Sequence, residues 1–203
     1  LSSSSAASDV YKRQANADYQ SQPQLPSCHK DGTDMKAKLE QLNFDVLYYT
    51  DTIRKTILEA ISEFIKLADC YSVLLVYYTG HGVQIDGENY FVPIDCIYHP
   101  VKSVFIASSL VGVNTITQYM NEHEEKTNIL ILDACRSSLS FAKEMGNIGL
   151  AEISAGNGTI IAFATSPNTS AFAPQTPDEN GYYTKRLLEH IDLSLIHISE
   201  PTR

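Results

Sequence analysis

The chain has 203 residues, 15 of them lysine or arginine and 24 aspartate or glutamate, for a formal net charge of -9 at pH 7. So acidic a chain lacks the clustered basic surface that a phosphate backbone requires, which excludes nucleic acid as the expected partner and favours basic substrates. No apolar run reaches the about eighteen residues of a membrane span, and the length suits one domain with a real core.

Both ends are set aside first. Residues 4–14 (SSAASDVYKRQ) and 193–203 (LSLIHISEPTR) resemble in-frame translations of the transposon adapters used to prepare sequencing libraries. The expectation is that residues 1–14 and 193–203 are adapter-derived and that the natural segment is 15–192, cut at both ends. An α/β domain normally opens with an apolar strand leading into the loop at 15–31, so that strand is expected to be missing. Cys28, Cys70, Cys96 and Cys135 are few and irregularly spaced. They form neither a disulfide framework nor a zinc spacing, which points to a reducing, cytoplasmic setting.

Residues 34–42 carry Met35, Leu39 and Leu42 at helical spacing, and a short strand follows at 44–49. Asp51 or Thr52 can cap a second helix whose apolar stripe is Ile53, Ile57, Ile61, Phe64, Ile65 and Ala68. Residues 72–79 read as a buried strand, and Asp86-Gly87 as the turn of a hairpin with its return strand at 88–92. A third helix is expected around Ile116 and Met120, then strands at 128–132 and 159–164 and a last helix at 183–191. Strands alternating with helices mean an α/β fold with a mainly parallel central sheet.

Two short stretches carry the chemistry. Tyr77-Tyr78-Thr79-Gly80-His81-Gly82 follows the apolar run 73–76, and Asp133-Ala134-Cys135-Arg136 follows the apolar run 129–132. Each reads as a loop at the carboxyl end of a buried strand, the edge of an open sheet where ligands collect. A thiol is nucleophilic as thiolate, and a nearby imidazole can take its proton or stabilise its charge. Gly80 and Gly82 let the backbone pass close to a substrate. The amides of Gly82 and Cys135 are candidate oxyanion donors, and the set describes acyl transfer through a thioester. Cys28, Cys70, Cys96, His29, His99, His123 and His190 lack a matching partner and read as structural.

The two stretches resemble the His-Gly and Asp-x-Cys motifs of the caspase-like cysteine peptidases, in the branch of metacaspases, paracaspases and bacterial caspase homologues. Residues 87–95 (GENYFVPID), 158–165 (GTIIAFAT) and 180–184 (NGYYT) resemble further segments of that family, so the likeness covers roughly 16–191. The resemblance implies a three-layer caspase-haemoglobinase-like sandwich and a cysteine endopeptidase acting on proteins or peptides. Cys135 is then the nucleophile and His81 the group that protonates the leaving amine. True caspases carry glutamine two residues before the cysteine, where this chain has Asp133. The loop 25–35 resembles the family's first loop, in which Asp31 matches an acidic specificity position of metacaspases. Both carboxylates would then line the pocket for the side chain preceding the scissile bond and select arginine or lysine. Lys143 is the basic residue of the linker between Arg136 and Gly158, where autoprocessing is open. Some metacaspases use calcium, but Asp86, Glu88 and Asp95 are scattered and make no compact ligand loop, so neither a metal nor an organic cofactor is expected. Two alternatives stay open: a non-catalytic module that binds partners through the same groove, and a thiol transpeptidase.

Overall fold

A computed structural model describes residues 9–97, 108–135, 150–164, 174 and 176–199; for 9–14, 135 and 192–199 it describes the backbone. In chain order the elements are β1 (Asp9–Ala15), α1 (Ser27–Gln41), β2 (Phe44–Thr50), α2 (Arg54–Ala68), β3 (Val73–Ile85), β4 (Glu88–Phe91), β5 (Val111–Gly112), α3 (Asn114–Glu122), β6 (Thr127–Cys135), β7 (Thr159–Phe163) and α4 (Tyr182–Ser199). Parallel pairing joins five strands in the order β2-β1-β3-β6-β7. The far half of β3 bends away to pair antiparallel with β4, which pairs with β5.

The continuous apolar runs make sense because both faces of this sheet are covered. Leu74, Val76, Tyr78, Leu130 and Leu132 point to one face and pack with Ile57, Ile61 and Phe64 of α2 and Ile116 and Met120 of α3. Leu75, Tyr77, Ile129 and Ile131 point to the other, against Met35 and Leu39 of α1 and Leu187, Leu188 and Ile191 of α4. The result is the expected three-layer α/β sandwich with a mainly parallel centre. Asp86 at φ 50° and Gly87 at φ 85° make the predicted hairpin turn, since a two-residue turn of this hand needs positive φ at both positions. Among the described residues no helix is long and apolar enough to cross a membrane.

Four expectations need correction. The first strand is present: residues 9–15 lie between β2 and β3 as β1, and because a parallel ladder is made by backbone groups, an extended segment without proline suffices to build it. Helix α1 begins at Ser27, so most of the supposed loop 25–35 is helical. Its buried face in those first turns is Ser27, Cys28, Asp31 and Gly32, polar or small residues that carry no apolar period. Helix α2 is not capped by Asp51 or Thr52. Thr52 gives its N–H and its hydroxyl to Asn16 Oδ1, each at 3.0 Å, and Asp95 Oδ1 instead accepts the Arg54 N–H at 3.2 Å. Finally, His81 and Cys135 lie in strands, not in loops beyond them: β3 runs on to Ile85 and β6 to Cys135.

Candidate active site

The pairing of β3 with β6 runs unbroken from Val73 opposite Thr127 to His81 opposite Cys135. The constant offset between the two strands is therefore what places the backbones of His81 and Cys135 side by side. His81 itself is 0% exposed. Its Nε2 stands 2.8 Å from the carbonyl oxygen of Pro23, and because a carbonyl can only accept, Nε2 carries the proton. In the neutral ring the lone pair then sits on Nδ1, the form a general base needs.

The backbone of His81 is clamped as firmly as its ring. Its N–H donates to the Tyr19 hydroxyl at 2.7 Å, and its carbonyl accepts the Tyr78 hydroxyl at 2.6 Å and the Val92 N–H at 3.1 Å. The Tyr19 ring lies against the imidazole with centroids 4.4 Å apart. Gly80 is required here: a Cβ would fall 2.7 Å from the Tyr78 hydroxyl and 2.8 Å from that of Tyr19. The loop bearing Tyr19 and Pro23 is anchored in turn by Asn16, whose N–H reaches the Thr79 carbonyl at 3.0 Å while its side chain takes Thr52. Burial, the leading cause, raises both the Tyr19 and the Tyr78 hydroxyl well above the usual phenol range and keeps them protonated. Removing the Tyr19 hydroxyl by Tyr19→Phe leaves the buried His81 N–H without its acceptor. The expected loss is about 1–3 kcal/mol of unfolding free energy, read from urea denaturation at unchanged slope.

Gly82 continues the strand. The Val92 N–H bond to the His81 carbonyl marks Gly82 and Phe91 as a pair of the non-hydrogen-bonded kind, so the Gly82 N–H is not used by β4. A Cβ on Gly82 would stand 2.9 Å from that of Ala134, which shows how closely the two strands approach beside Cys135.

The two acids meet a short distance away. Asp31 is 2% exposed on α1, and its Oδ1 accepts the Gly181 N–H at 2.8 Å. A Cβ at Gly181 would stand 3.0 Å from Asp31 Oδ2 and 3.6 Å from Asp133 Oδ2, so both carboxylates face the small volume left by the missing side chain. Asp133 is half-buried as a residue, but protein atoms crowd its carboxyl. Burial pushes that carboxyl up to about 6, against the opposing effect of Thr184, whose hydroxyl donates to Oδ2 at 2.6 Å. Since Thr184 has spent its proton there, the Tyr77 hydroxyl donates to Thr184 Oγ1 at 2.5 Å. Beside this corner a cleft of about 270 Å³ is lined by Lys30, Asp178, Glu179, Asn180, Tyr182 and Lys185.

The structure thus brings His81 and Cys135 together as strand neighbours, sets Gly82 next to them, and gathers Asp31 and Asp133 at Gly181. His99, Arg136, Lys143, residues 165–173 and residue 175 lie outside the described residues. Sequence reading did not single out Pro23, Tyr19 or Thr184. Pro23 acts through a carbonyl, which leaves no side-chain signal, whereas the Tyr and Thr hydroxyls are legible only once the sheet is assembled.

Residues 15–197 match the caspase domain family of peptidases, so the chain belongs to that family. It is 27% identical over 186 residues to mucosa-associated lymphoid tissue lymphoma translocation protein 1 of Homo sapiens, and equally to the homologue of Mus musculus. In each case 89% of this chain aligns, and it spans 22% of the relative's length. Among solved structures it resembles caspase-1 from Spodoptera frugiperda, with a TM-score of 0.66, 15% identity, and coverage of 92% of this chain and 69% of that one. At that identity the likeness concerns the fold.

Proposed function

We propose that the chain is a cysteine endopeptidase domain that cleaves peptide bonds after arginine or lysine. The observation that carries the reading is the pairing of His81 with Cys135 at the end of the β3–β6 ladder, with the His81 tautomer set by the Pro23 carbonyl. The Cys135 thiol gives its proton to His81 Nδ1, and the sulfur attacks the peptide carbonyl carbon. A C–S bond forms while the carbonyl electron pair moves onto oxygen, which the Gly82 and Cys135 amides receive; such a donor is commonly worth about 2.7–4 kcal/mol. His81 then passes its proton to the leaving nitrogen as the C–N bond breaks. Water, deprotonated by the same imidazole, hydrolyses the thioester and restores the thiol.

Asp31 and Asp133 form the proposed pocket for the basic side chain. A buried carboxylate left without a cation costs about 3–5 kcal/mol, which at about 1.4 kcal/mol per decade is a preference of roughly two to four orders of magnitude for arginine or lysine over neutral residues. An aspartate in the same position is repelled. A pair of fluorogenic peptides differing only in the residue before the scissile bond tests this: arginine is expected to be cleaved at least about 100-fold faster than aspartate. Faster release after aspartate would overturn the acidic pocket.

A further inference from the structure

The loop that holds His81 carries a second cluster on its outer side. Asp18 belongs to this loop, His29 to the first turn of α1, and Asp51 follows β2; one ligand atom of each lies within 4.8 Å of the other two. His29 Nε2 is 2.6 Å from Asp51 Oδ2, while Asp51 Oδ1 accepts the Ala17 and Asp18 N–H groups at 2.9 Å each. Those two N–H bonds orient the carboxylate from behind and leave its second oxygen turned toward the imidazole, the arrangement by which outer contacts aim a metal ligand. Two carboxylates this close repel each other. Among the described residues no lysine or arginine forms an ion pair with either, and the imidazole and the two N–H groups on Asp51 are what offset their charge.

We propose that Asp18, His29 and Asp51 bind one divalent transition-metal ion of the zinc class. One imidazole nitrogen with two carboxylate oxygens suits such an ion, whereas calcium calls for about six to eight oxygens. The ion takes the place of the proton between His29 Nε2 and Asp51 Oδ2. Ligands held tetrahedrally at about 2.0–2.1 Å from a metal sit roughly 3.3 Å apart, so the pair has to open from its 2.6 Å by roughly 0.7 Å. Because the three ligands come from the loop, from α1 and from the end of β2, the ion fastens the loop to both. The same loop supplies Tyr19 and Pro23 to His81, so occupancy of this site stiffens the support of that histidine.

The test uses the metal-stripped protein carrying Cys135→Ala, so that the thiol there cannot compete for the ion. Calorimetric titration with Zn2+ and visible spectra with Co2+ are expected to show one saturable site per chain, and hydrogen exchange across residues 16–26 is expected to slow on addition of Zn2+. His29→Ala and the exposed-site change Asp18→Asn should each weaken binding by at least about tenfold, with unchanged circular dichroism. Absence of saturable binding, or an affinity that neither substitution alters, would overturn the proposal. No peptide is cleaved in this assay, so its failure is separable from failure of the protease reading.

Discussion

Cys135→Ala and His81→Ala are each expected to lower kcat/KM for an arginyl peptide by at least about 10⁴-fold, because each removes a partner without which the other does little. The same reasoning makes the double variant scarcely slower than either single one, since two groups that act as a unit do not add. Steady-state kinetics of the three proteins tests this, with thermal melts to establish that each is folded. His81 has no exposure and sits against Tyr19, so its removal leaves a cavity and should lower the melting temperature, whereas a change confined to the sulfur at the end of β6 should leave it nearly unmoved. A Cys135→Ala protein that retained a tenth of the activity would show that the sulfur does not carry the reaction.

Asp133→Asn is expected to act on specificity and stability in opposite directions. The substitution removes one carboxylate from the proposed pocket, and the preference for arginine over a neutral residue should fall by about two orders of magnitude or more. Stability should rise. Burial lifts the Asp133 carboxyl from its ordinary 3.8 to about 6, so between those values the folded chain holds a proton that the unfolded chain has released. Stability is therefore greatest below the window, falls as the pH climbs through it, and above about pH 6 is lower by at most about 3 kcal/mol. Asparagine escapes this cost while its side-chain oxygen can still accept the Thr184 hydroxyl. Urea denaturation at pH 4 and pH 8 separates the cases: the variant should gain over the parent at pH 8 and show little advantage at pH 4. In kinetics, kcat/KM for arginyl peptides should drop as the pH falls through about 6, as the pocket loses its charge, and the limb due to Asp133 should be absent from the variant.

Much of the fold was legible because apolar residues marked it. The runs at 73–76 and 129–132 identified the two central strands, the stripe from Ile53 to Ala68 identified α2 although Ile53 itself precedes the helix and is exposed, and Asp86-Gly87 announced its hairpin. What escaped was built from polar or small residues. The first two turns of α1 bury Ser27, Cys28, Asp31 and Gly32, whose period is helical but whose chemistry looks like a loop. Gly80 and Gly82 were read as letting a loop pass close to a substrate, whereas in β3 the close approach is to the protein itself, with the Tyr19 and Tyr78 hydroxyls at Gly80 and Ala134 at Gly82. The stretch read as foreign at the amino end supplies β1, since ladder formation asks for extended backbone and places little demand on sequence.

The candidate site divides along the same line. His81, Cys135, Asp31 and Asp133 were found by residue type and motif, and the sheet register together with Gly181 accounts for how they come together. The groups that hold them, the Pro23 carbonyl and the hydroxyls of Tyr19, Tyr78 and Thr184, depend on contacts between segments far apart in sequence.

The most direct measurement is labelling of the folded protein with an arginyl chloromethyl ketone, followed by mass spectrometry of its peptides. A single adduct on Cys135, formed slowly or not at all in His81→Ala, is the predicted result. An unmodified Cys135, with no adduct or with one on Cys70, would contradict the assignment of nucleophile, base and pocket together.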